Sequence, residues 1–260
     1  MSYSAESIEK MAEDFATVES RFLALREALI IRDYRTARGK EFAVHGYSRR
    51  LHTLAHTTQN VFKLLPPEFE GVPDKEVLDD VTIQVQAFVF NIFGAIDNLA
   101  WTWFYERDPK REDGKDVPAT WVGLSPANTF LTSSLSAPFR ERIAELEEWF
   151  RIIEGYRHGL AHRIPLYIPP YSVPESKEAE YKEIGAKILD AMARHEWDEM
   201  EKHEADQMAM HVFHPQIMHS FEEGARTISF HPQMLADFGL VEEFGRRMLD
   251  ELKTLGGANG

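Results

Sequence analysis

The sequence predicts a mainly α-helical protein: an up-down bundle of four long helices, then a C-terminal extension with a small β-hairpin and a final helix. Three observations carry this. Apolar residues in the first thirty positions recur at alternating spacings of three and four. Residues 75–107 are apolar nearly all round a helix, as suits a central rather than a peripheral element. Prolines and Gly/Ser/Asp-rich stretches fall where these periodic runs should stop. With 260 residues, 43% of them hydrophobic, the chain is long enough to bury a large core.

In the first helix Ile8, Met11, Phe15, Val18, Phe22, Leu25 and Leu29 form one stripe, with Ser4 as N-cap. A basic connector, "RDYRTARGKEF", leads to a second helix from about Tyr47 to Leu65, which Pro66 and Pro67 end. Asp74 caps a third helix, from about Lys75 to Arg107. Residues 108–137, rich in Pro, Gly, Ser and Asp, read as a long loop. The fourth helix runs from near Ser136 to about His162. Beyond it "PLYIPPYSVPESK" is a proline-stiffened extended arm, and residues 176–207, with ten Asp/Glu against five Lys/Arg, form an acidic helix. A near-repeat, "FHPQIM" at 213–218 and "FHPQML" at 230–235, flanks a Gly-containing turn and suggests a hairpin of edge strands. A duplicated histidine ligand set is its alternative reading. A helix over 240–255 closes the chain. The expected organisation is a bundle over 1–164 with residues 165–260 packed on it as one unit.

Several functions are excluded or disfavoured by composition. The absence of cysteine rules out disulfides, thiolate metal sites and a cysteine nucleophile. A formal charge of −14 disfavours broad nonspecific nucleic-acid binding, and no DNA partner is expected. Segment 81–105 carries Gln84, Gln86, Asn91, Asp97 and Asn98, so no apolar run approaches the roughly 20 residues of a membrane span. The polar N-terminus "MSYSAESIEK" lacks a signal-peptide core, and a cytoplasmic location is the expectation.

The candidate chemistry lies in "YRHGLAHRIPLYIPP", residues 156–170. On helix four the stripe Ile143, Leu146, Phe150, Ile153 continues through Arg157 to Leu160 and Ile164, which places a guanidinium on the core-facing side. An unpaired buried charge costs several kcal/mol, so Arg157 needs a carboxylate, a phosphate or several carbonyls. Asp97, on the apolar third helix, offers a structural ion pair. Such a pair leaves room for function, because a carboxylate can also hold an arginine in place for a phosphate. His162 lies about 140° round the helix from Arg157, whereas His158 and His162 share a face. Gly155 and Gly159 admit a close approach by another helix or a ligand.

The motif "RHGLAH" resembles the signature of the HEPN superfamily of all-α domains: Arg157 matches its arginine, His158 the polar residue that follows, and His162 its histidine. The resemblance covers roughly residues 4–164, and the apolar helix bearing Asp97 and Asn98 fits its layout. It implies a metal-independent endoribonuclease working as a homodimer, with the motif helices (139–162 here) meeting at the interface. It implies equally a member that has lost activity and serves as an RNA-binding or protein-interaction module. In the active case a ribose 2′-hydroxyl attacks the adjacent phosphate, Arg157 binds that phosphate, and His162 supplies the imidazole for general acid–base work. No cofactor is required. The stretch from Arg32 to His56 is basic, and Arg35, Arg38, Arg49 and Arg50 are candidate substrate ligands there, with Tyr34, Phe42 and Tyr47 interleaved for base stacking. A solvated loop balancing the acidic helix is the plainer reading of that stretch. A weaker alternative is a metal-dependent hydrolase, in which His52 and His56 join His158, His162 and Glu154 around a divalent ion.

Overall fold

The computed structural model describes residues 3–218 and 227–256. Helix α1 (Ala5–Ile31) begins where Ser4 accepts a hydrogen bond from the Ser7 amide, and buries Met11, Val18, Phe22, Leu25 and Leu29. The expected basic connector is mostly helical. Thr36 caps a single turn, α2 (Ala37–Lys40), which passes through a π-helical stretch (Glu41–Tyr47) into α3 (Ser48–Leu64). That stretch is held on both sides: Gly39 lies against the buried carboxylate of Glu106, and Tyr47 is fully buried, donating to Val241 O at 2.7 Å.

The central helix α4 (Lys75–Arg107) has the limits read from its periodicity. Asp74 occupies the N-cap position but makes no side-chain capping bond. By length and composition alone α4 is apolar enough to cross a bilayer; half of its most apolar stretch is buried among the other elements. The loop over 108–136 contains one turn of 3-10 helix (Ala119–Trp121) and the short helix α5 (Thr129–Thr132). The motif helix is broken in two, α6 (Ala137–Glu145) and α7 (Glu147–His162), at Leu146. The stripe survives the break, with Ile143, Phe150 and Ile153 buried.

The acidic segment is also two helices. α8 (Glu178–Arg194) ends where His195 takes a left-handed conformation at φ 60°, and α9 (Trp197–Met208) folds back against it. The proline arm is extended, as read, and pairs through Tyr167 with Met218 and through Ser172 with Val212. Strands β1 (Gln216–Ile217) and β2 (Ile228–Ser229) form the antiparallel hairpin; its turn lies outside the described residues.

The second copy of the near-repeat is not a strand. "FHPQML" opens α10 (Phe230–Gly256), so the last helix starts ten residues earlier than the expected 240. Pro232 falls in the first helical turn, where a missing amide hydrogen breaks no bond. Phe230, Met234, Phe238, Val241, Met248 and Leu252 then form a buried stripe against α1, α3 and α4. The C-terminal helix thus shares the core of residues 1–164.

Candidate functional site

Arg157 points inward, as its place on the stripe requires. With Phe93, Asp97 and Glu154 it lines a cleft of about 480 Å³ between α4, α7 and the loop at 119–128, where Gly123, Ser125 and Asn128 form the opposite wall. Its guanidinium lies over the Phe93 ring, 4.3 Å from the centroid. The expected contact ion pair with Asp97 is not made: among the described residues no carboxylate oxygen comes within 4.0 Å of Arg157. The ring face and partial solvent access meet the need that the stripe alone assigned to a carboxylate. Asp97 feels Arg157 at longer range. Burial raises its carboxyl pKa above the ordinary value, and the charges of Arg157 and Arg50 partly oppose that rise.

Arg50 reaches this point because Gly94 has no side chain: a Cβ there would lie 2.5 Å from the Arg50 guanidinium. Arg50 donates to Asn98 Oδ1 at 3.0 Å and to Asn91 Oδ1 at 3.1 Å. Asn98 therefore holds Arg50, and Asp97 feels the charges of both guanidiniums. Arg50 is a partner of α4 rather than a free substrate ligand.

The remaining candidates scatter. His158 and His162 stand on the exposed face of the last turns of α7, ring centroids 6.3 Å apart, and neither lines the cleft. His158 Nε2 is 3.8 Å from Glu154 Oε1. Gly155, whose position hinted at a close approach, faces open space. Arg35 binds the C-terminal end of α4, its amide donating to Glu106 Oε2 at 2.8 Å and its side chain to Glu106 O at 3.1 Å. Arg38 pairs with Glu41 at 2.6 Å, and Arg49 contacts His45 at 3.3 Å; both are exposed. Of the three interleaved aromatics, Tyr47 is buried and Tyr34 donates to Leu29 O. Only Phe42 faces a surface aromatic group, stacking with Trp101 and Tyr105.

The histidine pairs do not assemble. His52 stacks on Phe22, His56 lies beside it on α3, and among the described residues no three His, Asp or Glu side chains gather as a ligand set. The repeat histidines also part company: His231 is fully buried between Leu65 O (Nε2, 2.6 Å) and the Tyr3 hydroxyl (Nδ1, 3.2 Å), whereas His214 is exposed. Burial depresses the His231 pKa to about 4.

The site residues that went unread are Phe93, Gly94, Glu106, Trp101 and Tyr105. One signal was available: Phe93, Asp97, Trp101 and Tyr105 recur every four residues along the helix, so they share one ridge. Comparisons with protein-family models, with curated proteins and with solved structures find no match.

Proposed function

We propose that the chain is a HEPN-like protein acting on RNA as a metal-independent endoribonuclease in a site completed by a second copy. The observation that carries the reading is Arg157: a half-buried guanidinium, braced on an aromatic face, without a contact carboxylate, at the wall of a cleft. Such a group is pre-positioned for an oxyanion. On this reading α1, α3, α4 and the α6–α7 helix make up the up-down bundle. The 2′-oxygen bonds to phosphorus as the bond to the 5′-oxygen breaks, leaving a 2′,3′-cyclic phosphate. One of the two α7 imidazoles takes the 2′-hydroxyl proton and the other protonates the leaving oxygen. Because His162 is exposed and does not line its own Arg157 cleft, the arginine and histidine that act together come from different copies.

Purified protein incubated with structured RNA in EDTA should yield cyclic-phosphate ends, and Arg157→Ala and His162→Ala should each abolish them. If both variants cleave like the parent chain, the assignment is wrong. A second reading, a non-catalytic RNA-binding or protein-interaction module, is favoured by the exposure of His158 and His162 outside the cleft. It predicts RNA retention without cleavage.

A further inference from the structure

Phe93, Asp97, Trp101 and Tyr105 lie four residues apart and so form a single ridge along α4, each half-buried. The ridge has a guanidinium on an aromatic ring at each end. At one end Arg157 covers Phe93. At the other, Arg38 lies 5.2 Å from the Phe42 centroid and 5.6 Å from that of Tyr105. Between them Trp101 lies nearly parallel to Phe42 (5.8 Å, 24°) and to Tyr105 (5.7 Å, 29°). Twelve residues at 1.5 Å each separate the two ends by about 18 Å. One helical turn is comparable to the step between nucleotides of an extended strand.

We propose that this ridge is a binding track for a single strand of RNA, about three nucleotides long, with one phosphate at Arg157, one at Arg38 and a base stacked on Trp101. Aromatic faces take bases of any identity, and guanidiniums take phosphates, so the track reads no sequence. Three carboxylates adjoin it, each with a basic side chain nearby: Glu41 pairs with Arg38, Asp97 feels the charges of Arg157 and Arg50, and Glu154, which shares the Arg157 cleft, lies 3.8 Å from His158 Nε2. The packing that builds the far end is specific. Glu106 accepts from the amides of Arg35 and Thr36 and so fixes the turn that carries Arg38, and the π-helical stretch carries Phe42 to Trp101. The inference rests on Arg157 as a phosphate ligand, but not on the strand being cut.

The test is the binding of fluorescein-labelled 2′-O-methyl hexaadenylate, which cannot be cleaved, to the full chain. Trp101→Ala should weaken binding at least fivefold and Trp101→Phe much less, with circular dichroism confirming that both fold. The slope of log K against log salt should be about −1.4 for two phosphate contacts and fall to about −0.7 in Arg38→Ala. Absence of binding, equal binding by parent, Trp101→Ala and Arg38→Ala chains, or displacement as effective by tripolyphosphate as by unlabelled oligonucleotide would each overturn the track. If Arg157→Ala and His162→Ala abolish cleavage while the ridge variants bind normally, the track falls and the ribonuclease reading stands. If the ridge variants lose binding and no variant or parent cleaves, the reverse holds.

Discussion

Asp237 is the most informative residue for the energetics of the fold. It is 2% exposed on α10, and its Oδ1 accepts from Trp149 Nε1 at 2.7 Å and from Gln233 Nε2 at 2.8 Å. Burial raises its pKa from 3.8 to about 6, against the lowering effect of those two donors. The native state therefore binds a proton more tightly than the unfolded chain. Its stabilising contribution is complete below pH 3.8 and is lost as pH rises through 6, a change of about 3 kcal/mol. Asp237→Asn keeps an Oδ1 for both donors and removes the buried charge. The variant should match the parent near pH 4 and be more stable by up to about 3 kcal/mol at pH 8. Urea unfolding of both chains from pH 4 to 8 measures this difference directly. Identical pH profiles, or a variant less stable at pH 8, would refute the argument that an uncompensated buried carboxylate links α10 to α7.

His231 has the opposite sign. Its pKa falls from 6.5 to about 4, so its contribution is complete above pH 6.5 and about 3 kcal/mol is lost as pH falls through 4. His231→Gln, which retains a donor for Leu65 O, should flatten that limb in the same urea series. Glu106→Ala leaves the amides of Arg35 and Thr36 without their acceptor and should cost roughly 2–4 kcal/mol in urea unfolding. It should also weaken oligonucleotide binding by releasing the turn that carries Arg38. Arg157→Ala should raise the Asp97 pKa further, because that guanidinium opposes the burial effect. Carboxyl titration by NMR would show the shift, and an unchanged Asp97 would mean that the two charges do not communicate. Gly94→Ala should displace Arg50 from Asn91 and Asn98, seen as loss of their side-chain amide shifts on titration with urea at concentrations below unfolding.

Local signals determined the long elements. Ser4 and the heptad-like stripe set α1, and apolar residues spread nearly all round the helix between Pro73 and Asp108 set α4. The same spacing placed Arg157 inward, since a helical period commits a position to a face before any partner is known. What that arginine meets was beyond reach. A guanidinium is satisfied equally by carboxylate, phosphate or ring, and only the approach of α4 presents Phe93 instead of the Asp97 oxygens. The "FHPQ" repeat makes the same point from the other direction. The same four residues lead into a strand at 213–216, with Gln216 its first residue, and open a helix at 230–233. Proline is compatible with both, so the outcome depends on whether the following residues have a core to pack against, as Met234 and Phe238 do. The basic stretch near Arg38 became helix rather than loop for the same reason. A distant carboxylate, Glu106, caps it, and a distant carbonyl, Val241, receives Tyr47. By itself the sequence determined which residues of α1, α4 and α7 up to Arg157 face inward, because that depends on neighbours a turn away. The break at Leu146, the split at His195, the start of α10 at Phe230 and the exposure of Ile164 were not set by it. The tertiary structure alone decided which groups meet, because hydrogen bonds and ring contacts between residues tens to hundreds of positions apart leave no periodic trace.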